Sequence, residues 1–86
     1  MAKDSFDKTV AYNTKPVRVE RISEILSDVN DALEERGYQS VAQISGYLIS
    51  NDPAYISSHK GARVTIQEVE RYDIIEELVR FYLDKK

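Results

Sequence analysis

Apolar residues at Val19, Ile22, Leu26, Val29 and Leu33 recur in steps of three and four, with acidic residues on the opposite side. That spacing keeps to one face of an α-helix and predicts an amphipathic helix from Val19 onward. It is expected to stop at Gly37, because a glycine after Glu34-Glu35-Arg36 takes the left-handed C′ conformation at little cost. Upstream, from Met1 to about Lys15, no period is sustained, and the only extended candidate is Thr9-Val10-Ala11-Tyr12. One boundary follows, near residue 16: a flexible tail at 1–16 and a helical domain at 17–86.

Ser40-Val41-Ala42-Gln43 fits a capping box, in which the serine hydroxyl and the glutamine amide each satisfy a first-turn amide. A second helix, about 41–50, is apolar on most sides and is expected to be central. Gly46 inside it costs up to about 1 kcal/mol relative to alanine, which fits either close approach by another backbone or a tolerated glycine. Asp52-Pro53 is a restart signal, with aspartate as cap and proline at the first helical position, and predicts a short turn through Ala54, Tyr55 and Ile56. Ala62, Ile66 and Val69 then predict a fourth helix ending near Arg71. Asp73 and Glu76 offer a cap for a fifth helix running to about Leu83.

The last helix carries Ile74, Ile75, Leu78, Val79, Phe81, Tyr82 and Leu83, with only Glu76, Glu77, Arg80 and Asp84 as a polar strip. So much apolar surface fits a C2 homodimer in which a second copy covers the excess, or a helix fully wrapped by its own core. The fold class expected is therefore all-α, a compact five-helix domain that dimerises behind a flexible amino-terminal tail.

Composition narrows the function. The chain has 86 residues, 42% hydrophobic and 31% charged, which suits one small domain and leaves little room for most enzymes. A domain of this size hides only about 60% of its unfolded surface, which again favours a second copy. With no cysteine there are no disulfides, thiolate ligands or thiol nucleophiles, and a reducing cytoplasm is the natural reading. The first fifteen residues lack the apolar run of a secretory signal, and no stretch approaches the ~20 residues that span a bilayer.

The net charge of −3 hides a gradient: +2 over residues 1–18, −5 over 19–52 and 0 over 53–86. A pI near 5.1 argues against duplex nucleic acid as the main partner, since phosphate binding needs concentrated Lys and Arg. Catalysis fails by elimination. His59 is the sole histidine, so no His pair or zinc set exists, and no cofactor or metal is expected. Glu34-Glu35 and Glu76-Glu77 are sequential; helical neighbours point about 100° apart and do not share a reacting atom. The glycines at 37, 46 and 61 are too far apart for a phosphate loop.

Cationic groups do collect in His59-Lys60-Gly61-Ala62-Arg63 and Arg71. Arg63, Gln67 and Arg71 recur every four residues beside the apolar Ala62/Ile66/Val69 face. Such a stripe can grip a carboxylate or phosphate bidentately, or stand as a solvated face pairing with Glu68 or Glu70. His59 alone is as readily a capping or packing residue. In the tail, Thr9 lies in Asp7-Lys8-Thr9-Val10 with Ser5 and Thr14 nearby, and an exposed hydroxyl there is open to a kinase.

Gly37-Tyr38, Gln43-Ile44, Gly46-Tyr47-Leu48-Ile49-Ser50, Asp52-Pro53-Ala54-Tyr55-Ile56, His59-Lys60, Ala62-Arg63, Glu70-Arg71 and Glu76-Glu77-Leu78-Val79 together resemble the IreB/ReoM family of small regulatory phosphoproteins of low-GC Gram-positive bacteria. The resemblance covers about residues 6–83. It implies a five-helix homodimer that is a substrate of a membrane Ser/Thr kinase with external PASTA repeats, and of the cognate phosphatase. Thr9 matches the family's Asp-x-Thr-hydrophobic phosphorylation context. Some members carry a second threonine three residues earlier, where this chain has Phe6, which leaves Ser5 as a neighbouring candidate. The resemblance further implies that the unphosphorylated form promotes ClpC–ClpP proteolysis of UDP-N-acetylglucosamine 1-carboxyvinyltransferase, directly or through an adaptor, and that phosphorylation relieves this, raising wall synthesis and β-lactam tolerance. The family's basic stripe carries over as partner-binding residues at His59, Arg63 and Arg71. Ser58 and Gln67 stand where arginine is common, so a contact needing the full stripe is expected to be weaker or to use a different partner. The competing reading is a small helical nucleic-acid-binding regulator; only three Lys/Arg in residues 57–72 count against it.

Overall fold

The computed structural model describes residues 17–85, all of whose regular structure is helical. Helices α1 (Val17–Glu35), α2 (Ser40–Ser50), α3 (Ala62–Ile66) and α4 (Arg71–Asp84) are linked by two 3₁₀ turns, Pro53–Tyr55 and His59–Gly61, both between α2 and α3. Five helices are expected from the sequence; the described residues form four. The third expected element is the Pro53–Tyr55 turn. Asp52 caps it by accepting the Ala54 amide at 3.0 Å, but the chain turns extended at Ile56 (φ −100°, ψ 129°), so the turn does not lengthen into an α-helix. The expected tail at 1–16, with its extended stretch at Thr9–Tyr12, lies outside the described residues.

Helix α1 ends as its sequence dictates. Gly37 sits at φ +78°, the Tyr38 amide donates to the Leu33 carbonyl at 3.0 Å and the Gly37 amide to Glu34 at 2.9 Å. This paired closure is the Schellman motif, and it satisfies two carbonyls the helix leaves over.

The core forms where α1 meets the other elements. Ile22, Ile25, Val29, Ala32 and Leu33 of α1 are buried with Tyr47 of α2, Ile56, Ala62 and Ile66 of α3, and Ile74 of α4. The buried face of α1 is turned relative to the 19-22-26-29-33 stripe: Val19 is 43% exposed, whereas Ile25 is fully buried. Both stripes share Ile22, Val29 and Leu33, and neighbouring positions lie about 100° apart, so periodicity alone does not choose between them. Contact with α3 and α4 brings Ile25 and Ala32 inside, and Leu26 packs part-buried at the edge.

Three local expectations change. Ser40 is the first residue of α2 rather than its cap; Gln39 stands at the cap with no side-chain bond. The Gln43 side chain does not close a capping box but accepts the Ser57 amide at 2.9 Å. A Cβ built on Gly46 would meet the Tyr55 ring at 2.5 Å, so the close approach is by an aromatic side chain and not by backbone. Finally, α3 stops at Ile66, with Gln67 and Glu68 amides closing three residues back, and α4 starts at Arg71 from Glu70, which places Asp73 in its first turn instead of at its cap. The break lets both Ile66 and Ile74 enter the core.

Substitution separates the two α1 stripes. Ile25→Ala should lower unfolding stability by about 2–5 kcal/mol through lost burial and a residual cavity, whereas Val19→Ala should change it by less than about 1 kcal/mol. Urea titration followed by circular dichroism reads both; comparable losses would return Val19 to the core.

Candidate functional site

The sequence between α2 and α3 contains Asn, Asp, Pro, three serines counted with Ser50, and Gly61, residues that bond locally to backbone in preference to forming long helices. Accordingly, the segment from Asn51 to Gly61 is pinned almost amide by amide. Ser50 Oγ donates to the Gly46 carbonyl at 2.7 Å and accepts the Asp52 amide at 3.0 Å. The amides of Tyr55 and Ile56 close on the carbonyls of Asp52 and Pro53, and that of Gly61 on Ser58. Ser57 Oγ accepts the His59 amide at 3.1 Å. Asn51 and Lys60 take left-handed backbone conformations, at φ 64° and 50°.

The structure gives each cation of the stripe a specific partner. His59 Nε2 lies 2.9 Å from Glu35 Oε1, and Lys60 Nζ lies 3.2 Å from the same oxygen. Glu35 is in the last turn of α1, where the helix dipole disfavours an anion. His59, first, and Lys60, second, hydrogen-bond its carboxyl and hold it below the ordinary glutamate value of 4.5. Arg63 Nε donates to the Ile56 carbonyl at 2.8 Å. Arg71 Nη1 donates to the Leu48 carbonyl at 2.6 Å.

Neither arginine pairs with Glu68 or Glu70, as the solvated-face reading supposes; Glu68 bonds Arg21 of α1 instead. Gln67 turns its amide to the Arg63 carbonyl at 2.9 Å, and Ser58 is an exposed residue ahead of the second turn. Sequence reasoning had no access to Glu35 and Gln43 as members of this cluster, because their partners lie 24 and 14 residues away and no periodicity links them. Beside the cluster, Asp28, Asp31, Ala32 and Glu35 of α1 face Lys60 and Thr65 across a surface concavity.

A second feature is α4. Ile74 is its one buried residue, while Tyr72, Ile75, Leu78, Val79, Phe81, Tyr82 and Leu83 are all exposed. Arg80 pairs with Glu76 and Glu77 along the polar strip. Among the described residues no cluster of three or more His, Asp or Glu side chains is arranged to hold a metal ion, and no helix is long and apolar enough to cross a membrane. Thr9 and Ser5 lie outside the described residues.

Fold and site thus define a small all-helical protein that offers a tightly tied loop and an uncovered apolar helix. The chain matches the profile of the IreB regulatory phosphoprotein over residues 7–84, and it belongs to that family.

The Glu35 cluster has a pH signature. A carboxyl whose folded value is depressed contributes stability in full above its unfolded value, and that contribution is lost as pH falls through the lower folded value. Glu35 should therefore titrate below 4.5 in a carboxyl-detected NMR experiment. His59→Ala should move its midpoint upward more than Lys60→Ala does; the reverse order would contradict the partner ranking.

Proposed function

We propose that this chain is a non-catalytic, cytoplasmic regulatory phosphoprotein, switched at Thr9 by a PASTA-type membrane Ser/Thr kinase and its phosphatase. When unphosphorylated it promotes Clp-dependent degradation of the carboxyvinyltransferase that begins peptidoglycan synthesis, and so tunes wall synthesis and β-lactam tolerance. The observation that carries this reading is the family match, which spans residues 7–84 and so includes Asp7-Lys8-Thr9-Val10. The stripe supports a protein partner over nucleic acid: Lys60, Arg63 and Arg71 each already hold a carboxylate or carbonyl. An arginine has five N–H donors, so Arg63 and Arg71 keep others for a partner that also meets His59.

Phosphate on Thr9 adds about −1.5 to −2 charges, enough to cancel the +2 balance of residues 1–18. The unmodified tail then favours the acidic side of α1, around Asp28, Asp31 and Glu35, and the phosphorylated tail is redirected toward Arg63 and Arg71. This is a population shift without refolding. Incubation with the kinase and ATP should place one phosphate on Thr9 by mass spectrometry, and none on Thr9→Ala. Amide NMR of the phosphorylated form should show shifts around residues 59–71; their absence leaves direct repulsion of the partner as the mechanism, and phosphate at Ser5 with Thr9 unmodified would displace the assignment.

The proposal includes a C2 homodimer through α4. Tyr72, Phe81 and Tyr82 are 68%, 63% and 65% exposed. At ~150–250 Å² per ring, these three leave roughly 300–500 Å² uncovered, about half of the ~800 Å² each partner contributes to a stable interface. Ile75, Leu78, Val79 and Leu83 are exposed on the same helix, so the apolar surface runs around about half of its circumference. Sedimentation of the full chain should give the dimer mass, and Phe81→Glu with Leu83→Glu should give the monomer mass with the helical circular dichroism retained. A wild-type chain that stays monomeric at tens of micromolar, below which standard-size interfaces commonly hold, would refute the dimer.

A further inference from the structure

We infer that Arg71 is a positioning residue that ties the exposed helix α4 to the last turn of α2, from which the loop at 51–61 departs, so that covering α4 tightens the start of that loop. The coupling to coverage rests on the dimer proposed above; the tie itself rests on geometry alone. Leu48 lies in the last turn of α2, where carbonyls have no partner within the helix. In a continuing helix its carbonyl would receive the Asp52 amide, but that amide goes to Ser50 Oγ. The Arg71 guanidinium supplies the missing donor at 2.6 Å from a site 23 residues further along the chain. A cation at this position also complements the negative end of the α2 dipole.

The loop itself is held at its middle by Arg63 on the Ile56 carbonyl and Gln43 on the Ser57 amide. The Arg71 bond joins α4 to the end of α2 from which this loop departs. Helix α4 is anchored at its base by buried Ile74 and by Arg71, while its remaining apolar residues are uncovered. Whatever fixes the exposed length of α4 therefore fixes the angle at which Arg71 meets Leu48. By linkage the effect is reciprocal: an ordered loop favours the covered helix to the same degree.

Hydrogen exchange on the full chain tests this, because the amides of Asn51, Asp52, Ala54, Tyr55, Ile56, Ser57, His59 and Gly61 each have an identified acceptor that reports local opening. Arg71→Met keeps most of the apolar stem and removes every donor. It should speed exchange across 51–61 by about tenfold or more, as expected for loss of a charge-assisted bond, with the α1 core amides unchanged. Arg71→Lys, which retains a cationic donor, should restore most of the protection. In the wild type, loop protection should rise as concentration carries the chain from monomer to dimer; in Arg71→Met that rise should vanish. A wild-type dimer whose loop exchange ignores both Arg71 and concentration overturns the inference and leaves the dimer standing. A sedimentation result of monomer at every concentration instead removes the dimer, and with it the coupling.

Discussion

Between Asn51 and Gly61 the backbone has no helix long enough to satisfy its own polar groups, and a buried or half-buried amide left without a partner costs more than a hydrogen bond returns. The rest of the structure answers that constraint. Ser50, Asp52 and Ser57 bond within or at the edge of the segment, Gln43 and Arg63 reach in from two different helices, and Arg71 holds the last turn of α2 just ahead of it. Those tethers fix where Ile56 enters the core and where the Tyr55 ring lies over Gly46. They also bring His59 and Lys60 onto the end of α1, joining the first helix to the loop through the single carboxylate of Glu35.

Legibility in the sequence follows the range of each interaction. Features set within a turn or two were readable: the glycine closure at Gly37, the Asp52 cap, the burial of Ala62 and Ile66, and the excess of apolar residues on the last helix. Features set by distant partners were not. The choice of Ile25 over Val19 depends on which elements pack on α1, and Gln43 and Arg71 look like a cap and a surface cation until their partners 14 and 23 residues away are known. The helix count differed for a related reason: proline and aspartate fix where a turn starts, but its length depends on Ile56 being drawn into the core.

Size explains the division between the two ends of the domain. Ten apolar residues make up the buried cluster, and α4 contributes Ile74 alone to it. A helix of 14 residues is about 21 Å long at 1.5 Å per residue, so most of it extends past what so small a core can cover. The apolar positions after Ile74 lie outside the buried cluster of this protomer, and contiguous exposed apolar surface of this kind is what association would cover.

Arginine at 63 and 71 serves this arrangement in a way lysine would not. A guanidinium is planar and carries five donors, so one N–H can hold a backbone carbonyl while the others remain directed elsewhere. With the partner-binding role proposed above, positioning and recognition reside in one side chain, and truncation to alanine removes both at once. The two roles separate only by the chemistry of what is kept: a cationic donor without the fork preserves the tether and loses bidentate recognition, whereas an apolar stem preserves packing and loses both. For a loop and a helix end whose carbonyls depend on borrowed donors, a stripe read from the sequence as a surface for partners is first a set of internal ties.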